Sequence, residues 1–312
     1  MPLNESDQKR ATVAGVVAVM LAAASWGSSG IFVKLIMTGS PVSALCLAFW
    51  RDTAAFAAFF TLAFCIDRNR IKIRRSDWPR LLGMGMSLGV FHVALNLGYR
   101  LNGAAITTIQ QAAMPAIALV VARIIWKEPL TALKLLSLVI IGIGTVLVSG
   151  LIGSGGSDIT AGGILVGFFV PACYAGWSLF GKALRTGYSA VVILAWAFGI
   201  AALILLPFQL AAGGLLPSQV PAVSYLWFAG LIGISTVGAF FAFIFALGRL
   251  PAGISSLLVM SEIAFAVVYA RFFLGEILTG IEIVGALVVV SGVIILLAPG
   301  AERVPVKPVM RR

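Results

Sequence analysis

The chain has 312 residues, of which 61% are hydrophobic and only 11% charged, and it carries a formal net charge of +11. A soluble globular domain holds about 25% charged residues; this composition, with a mean hydropathy of +1.08, cannot cover a water-facing surface and points to a polytopic membrane protein. The basic excess sits in short loops and tails such as "DRNRIKIRRSDWPR" (67–80) and "ERVPVKPVMRR" (302–312) without a basic aromatic surface, which argues against a nucleic-acid partner and for membrane lipid headgroups.

Apolar runs of membrane-spanning length, about 20 residues each, recur at 11–36, 43–66, 79–100, 103–126, 132–151, 162–183, 189–212, 222–247, 252–274 and 280–298. They predict an all-α integral membrane protein with ten transmembrane helices, here spans 1 to 10. The predicted organisation is a tail over 1–10, a five-helix unit over 11–151, a second over 162–298 and a basic tail over 299–312. Lys9, Arg10 and Ala22 to Ala24 resemble a signal peptide, but the run stays apolar through Val33, too long for a signal core, so span 1 reads as uncleaved. Of the 22 Lys and Arg, 18 fall on one side when ends alternate. The positive-inside rule then places both termini in the cytoplasm, with the chain in the cytoplasmic membrane.

Span 1 carries Trp26 within "SWGSS", where small neighbours favour an inward-facing ring, and ends near Lys34, which with Lys182 of span 6 is expected to snorkel to headgroups. Span 2 holds Arg51 and Asp52 about nine residues in. Adjacent helical residues diverge, so they cannot neutralise each other face to face; pairing with a neighbouring helix and a direct part in gating both remain open. In span 3, His92, Asn96 and Tyr99 follow i, i+4, i+7 spacing and form a polar face that should point into the bundle. A cavity lining and a histidine satisfied by a neighbour are the two readings, and proton coupling is a further role for His92. Span 4 brings Gln110, Gln111 and Met114 to Pro115, which frees a backbone carbonyl. Tyr174 and Trp177 in span 6 are candidate cavity walls with Trp26. Glu262 in span 9 either meets a substrate ammonium or proton, or fixes helix packing.

Three cysteines, Cys46, Cys65 and Cys173, lie in apolar runs without CxxC spacing and read as buried free thiols. A single histidine leaves no Cys/His cluster for a metal. Neither a Walker P-loop nor another cofactor motif is present, so no cofactor is expected.

"LVVARIIWKEPLT" (119–131) returns as "VVYARFFLGEILT" (267–279), an offset of 148 residues with six identities that include Arg123/Arg271, Glu128/Glu276 and Thr131/Thr279. The same offset pairs "AAITTI" (104–109) with "AGISSL" (252–257), Phe32 with Phe180, Lys34 with Lys182 and Gly144 with Gly292. Thr131 and Thr279 read as helix caps, and Thr279 with Glu282 makes a capping box. Five spans separate the copies, and an odd number reverses direction. The halves are therefore inverted repeats, an architecture of secondary transporters with a midplane site. Arg123 and Arg271, at opposite ends, are candidate gating or structural charges.

"SWGSSGIFVKL", "AAITTIQQAAMPAIALVVARIIWKEPLT" and "SSLLVMSEIAFAVVYARFFLGEILTG", in this order and at the repeat offset, resemble the EamA-type ten-helix carriers of the drug/metabolite transporter superfamily. Within it the chain is similar to the YddG-type exporters of aromatic and other neutral amino acids. The second half departs from the first in having Ile263 at the level of Pro115 and Tyr174 at the level of Trp26. The resemblance implies export of small metabolites by alternating access, and ten spans suffice for a monomeric carrier. Export of other metabolites or drugs is the alternative within the fold. An intramembrane enzyme acting on a lipid-linked substrate is the rival class, but no nucleophile and base, metal cluster or paired carboxylates can be read from spacing.

Overall fold

The computed structural model describes residues 5–66, 71–101, 111, 113–148, 161–212, 220–274 and 279–297. Each predicted span contains helix, and no strand occurs among the described residues. Span 1 is two helices, α1 (Glu5–Gly27) and α2 (Ser29–Gly39), meeting at Ser28. Spans 2 to 5 hold α3 (Ala44–Ile66), α4 (Trp78–Leu101), α5 (Met114–Trp126) and α6 (Ala132–Val148). Spans 6 and 7 are α7 (Ala161–Leu184) and α8 (Ala190–Ala211). Span 8 runs through α9 (Ala222–Ile232), a π-helical turn (Gly233–Gly238) and α10 (Ala239–Leu247). Span 9 is α11 (Ala252–Leu258), a 3-10 turn (Val259–Ser261) and α12 (Glu262–Leu274), and span 10 is α13 (Gly280–Leu297).

Local chemistry explains several boundaries. The Thr131 hydroxyl accepts from the Lys134 amide at 3.3 Å, capping α6 as its sequence predicts. Ser189 caps α8 in the same way through Val192. For Thr279 the backbone carbonyl accepts from Ile283, while the Glu282 side chain lies outside the described residues. Proline at 115 marks a disturbance in span 4, yet span 9 breaks at the same level without one. There Ser255, Ser256 and Ser261 turn their hydroxyls back onto the carbonyls of Pro251, Gly253 and Leu258, a bonding pattern that competes with the helical ladder. The helices after the two breaks, α5 and α12, begin at Met114 and Glu262, again 148 residues apart.

Among the described residues, four segments are long and apolar enough to cross a membrane by length and composition alone: Arg10–Met37, Leu45–Ile66, Ala190–Ala211 and Ala222–Leu247. Large apolar side chains such as Ile124, Phe168, Leu203 and Phe272 stand exposed on the outside of the bundle. This suits hydrocarbon as solvent and would be ruinous in water.

The neighbour relations obey the repeat. Span 5 packs on span 10, 2 on 7, 4 on 9, 3 on 6, 1 on 8, 4 on 6 and 1 on 9. Exchanging each span for the one five places away maps this set onto itself: 3 against 6 becomes 8 against 1. Two inverted five-helix repeats therefore interlock instead of standing side by side. Gly85 and Gly89 of α4 allow close approach to Ile200 and Ala201 of α8, the small-residue packing that membranes favour.

Candidate functional site

Arg51 and Asp52 of α3 diverge as adjacent helical residues must, and each finds a different partner helix. The Arg51 guanidinium donates from Nε to the Thr236 hydroxyl at 2.8 Å and from Nη2 to the Ser235 carbonyl at 3.3 Å. Both acceptors belong to the π turn of span 8. A π turn widens the helix and leaves carbonyls off the usual ladder, which opens the Ser235 carbonyl to Arg51. Thr236 also donates to the Leu231 carbonyl, and the Ser235 hydroxyl meets that of Ser28 at 2.9 Å, at the break in span 1. Asp52 turns the other way. Its Oδ1 lies 2.8 Å from His92 Nδ1 and its Oδ2 3.1 Å, both residues being buried.

A small cavity lies against this constellation, with Val33, Ala48, Arg51, His92 and Leu231 on its wall, so spans 1, 2, 3 and 8 share it. His92 faces it. Its ring also rests against Phe198 and Phe240, with centroids 6.5 and 6.1 Å away.

Phe240 carries the arrangement on to the aromatic residues. Trp26 meets Phe240 edge-on at 5.0 Å, Tyr174 stacks on Trp177 at 5.3 Å, and Trp177 lies 5.0 Å from Phe240. Only 7% of Trp26, 2% of Tyr174 and 1% of Trp177 is accessible. The three rings form a closed cluster between α1, α7 and α10 in this structure, sealing the interior next to His92.

Glu262 opens α12 at the level of the break in span 9, and Met114 holds the equivalent place in span 4, fully buried. Glu262 is half-buried. Arg51 and Tyr174 are both within its electrostatic reach. Gln111 is half-buried, and Arg123 is exposed. Gln110 and the side chains of Asn96, Tyr99 and Arg271 lie outside the described residues.

The sequence did not single out Ser28, Ser235 or Thr236; a polar pair inside the glycine-bounded "GISTVG" was the available signal. It also undervalued the repeated glutamate. Glu128 reaches across to the other half and accepts from the first amides of α11, Ala252 at 3.0 Å and Gly253 at 3.3 Å, where a carboxylate meets the helix dipole favourably. Lys182, expected to snorkel, instead turns onto the carbonyls of Leu247 and Leu250 at the end of span 8, where a cation complements the opposite pole. Together they grip the connection between spans 8 and 9 from both sides. Beside it, burial and then the neighbouring Arg249 bring Arg185 down to about 10; Arg249 itself stacks over the Phe245 ring at 3.4 Å.

Comparison with known proteins agrees with this architecture. A crystal structure at 16% identity matches with a TM-score of 0.75, covering 94% of this chain and 99% of the other, which establishes likeness of fold. An uncharacterized transporter from Archaeoglobus fulgidus is 22% identical over 281 residues, covering 89% of this chain and 97% of that protein. The model of the EamA-like transporter family matches twice, over 13–150 and 161–298, once for each repeat. With both halves of a ten-helix inverted repeat matched in this way, the chain belongs to the EamA-like transporter family.

Proposed function

We propose that this transporter exports aromatic and other neutral amino acids across the cytoplasmic membrane, by alternating access around an interior site and as a monomer with both termini in the cytoplasm. What supports the reading is that opposite charges from the two halves, Arg51 of the first and Glu262 of the second, interact electrostatically. A zwitterionic amino acid supplies the complementary pair, its carboxylate for Arg51 and its ammonium for Glu262. The adjacent rings of Trp26, Tyr174 and Trp177 offer apolar contact for its side chain. Holding charges inside a membrane is costly, so such residues mark functional candidates, and an amino-acid site gives these two a use. Gln111 and Met114, at the level of Glu262, are the span 4 contribution, with Gln110, Asn96 and Tyr99 as further cavity candidates by sequence position.

Alternating access requires that one end close while the other opens. The grip of Glu128 and Lys182 on the connection between spans 8 and 9 supports a reading in which that end, the cytoplasmic one by charge count, is shut. Arg123 and Arg271 stand at opposite ends as the corresponding boundary charges. The test is flux of radiolabelled Phe, Trp, Met and Thr in liposomes containing the purified protein. Saturable flux that unlabelled substrate competes away supports the assignment. Folded protein that moves none of the four overturns the substrate class.

A further inference from the structure

We propose that Arg185 and Arg249 form a binding site for the phosphate group of an anionic membrane lipid. Arg185 follows α7 in the connection to span 7, and Arg249 follows α10 in the connection to span 9. The two cations are neighbours: burial and then the charge of Arg249 act against the charged form of Arg185, and burial does the same to Arg249. Long arginine side chains at helix ends are free to swing apart into water, yet these two are held. Gly248 admits the Arg185 guanidinium, since a Cβ there would stand 2.8 Å from its Nη2 and 2.9 Å from its Nε. Arg185 Nη1 donates to the Tyr188 carbonyl at 2.6 Å. Arg249 Nη1 donates to the Phe245 carbonyl at 3.1 Å, and its guanidinium carbon lies 3.4 Å from the centre of the Phe245 ring.

Two guanidiniums fixed beside each other repel. Among the described residues, Asp77 bonds to Arg80 and Tyr188, Asp52 to His92 and Glu128 to the start of α11, and none forms an ion pair with Arg185 or Arg249. The Arg185 Nε is enclosed and meets no hydrogen-bond partner among them, which leaves that charge the less compensated of the two. Both residues are only half-buried, so each keeps some access from outside. A phosphate meets this chemistry: its oxygens accept from guanidinium forks, often two bonds at a time, and its charge removes the repulsion.

The setting favours a lipid over a free anion. Phe241, Phe245 and Arg249 follow at intervals of four residues, the two rings lie 6.1 Å apart, and Arg249 covers the second. Phe241 is exposed on the outside of the bundle. A line of apolar rings thus leads up to the cations, the order in which a lipid presents acyl chain and phosphate. By charge count this end is cytoplasmic, where anionic lipids give the leaflet its negative potential. Two fixed cations distinguish the site from the general attraction of basic loops to headgroups, and it does not depend on which compound is exported. Leu250 follows Arg249 directly and gives its carbonyl to Lys182, so a lipid held here adds to the grip on the connection between spans 8 and 9.

Native mass spectrometry of the full chain in detergent reads the binding directly. The expected result is one phosphatidylglycerol bound roughly tenfold more tightly than phosphatidylcholine with the same acyl chains, and a roughly tenfold loss in Arg185→Gln and in Arg249→Gln, the size of one charge-assisted hydrogen bond. Arg75→Gln removes an exposed cation from the same end by charge count and should leave the affinity unchanged. Equal affinity of the wild type for the two lipids overturns the proposal, even where a variant fails to fold. An equal loss in Arg75→Gln overturns it too, since diffuse surface charge would then account for the binding. Inorganic phosphate at the concentration of the lipid should leave phosphatidylglycerol bound. Displacement of the lipid by it would assign the site to a free phosphate and overturn the lipid assignment.

Discussion

Gly144 and Gly292 stand 148 residues apart and each packs on the other's half in the same way. A Cβ on Gly144 would lie 2.7 Å from the Val289 nitrogen and 2.8 Å from the Gly285 oxygen, and one on Gly292 would lie 2.8 Å from Ile141 Cγ1. Ile141 and Val289 are themselves 148 apart. The contact between α6 and α13 is thus isologous, as a two-fold axis demands, although both surfaces belong to one chain. Phe32 over Gly230 and Phe180 over Gly83 repeat the relation between spans 1 and 8 and between spans 6 and 3.

Alanine at either position must push α6 and α13 apart. Gly144→Ala and Gly292→Ala are expected to destabilise by about 1–3 kcal/mol, the usual range for overpacking. Gly142 is the control: nothing lies within 4 Å of its Cβ position, so Gly142→Ala should gain helix propensity of up to about 1 kcal/mol. Thermal unfolding of the purified protein in detergent reads the opposite signs; a loss of stability at position 142 equal to that at 144 would remove the packing argument.

Glu128 satisfies two amides at the start of α11, and Glu128→Ala leaves them without that partner. Leaving a buried donor unpaired costs about 1–3 kcal/mol, which corresponds to a several-fold or greater rise in local opening. The rate of labelling of a cysteine introduced at Ser255, in a background lacking Cys46, Cys65 and Cys173, should rise accordingly. Glu128→Gln retains one acceptor oxygen and should fall between wild type and alanine. Equal labelling rates in all three proteins would show that the carboxylate does not hold this end closed.

Arg51 and Thr236 join span 2 to span 8 across the halves, and a double-mutant cycle isolates the bond. Arg51→Gln, Thr236→Val and the double variant are expected to show a coupling of about 1–2 kcal/mol in detergent unfolding, within the range for hydrogen bonds to charged groups. Strictly additive effects would mean that the 2.8 Å contact contributes nothing to stability.

Lys127 is the one described non-glycine residue at positive φ, 55°, where it ends α5 just before Glu128. The equivalent position in the second repeat is Gly275. The left-handed conformation costs a residue with a Cβ about 1–2 kcal/mol, so Lys127→Gly should raise stability by about 1 kcal/mol, less whatever glycine gives back through the unfolded chain. A higher unfolding midpoint checks this, and a lower one would show that the lysine side chain contributes more than the strain it carries.

Much of the fold was legible because its signals are local or periodic. Span count follows from apolar run length, and inversion follows from an odd number of spans between copies of one phrase. The polar face of span 3 drew attention to His92. Sequence could not choose a partner for it, since Asp52 lies 40 positions away. Nor did it foresee the π turn at Gly233–Gly238, because a one-residue widening leaves hydropathy unchanged. The closed packing of Trp26, Tyr174 and Trp177 was equally hidden: their composition suits a cavity wall or a seal, and ring geometry alone distinguishes them.

By itself, then, the sequence determined a membrane protein of ten spans in two inverted halves, since apolar length, charge placement and a 148-residue repeat are properties of the chain alone. Only the tertiary structure decided which charges meet. Arg51 went to the π turn, Asp52 to His92, Glu128 to the first amides of α11 and Lys182 to the carbonyls of Leu247 and Leu250. The physical reason is that a buried polar group must be satisfied by whatever donor or acceptor packing brings within about 3 Å, and the spans that pack together here are far apart in the chain.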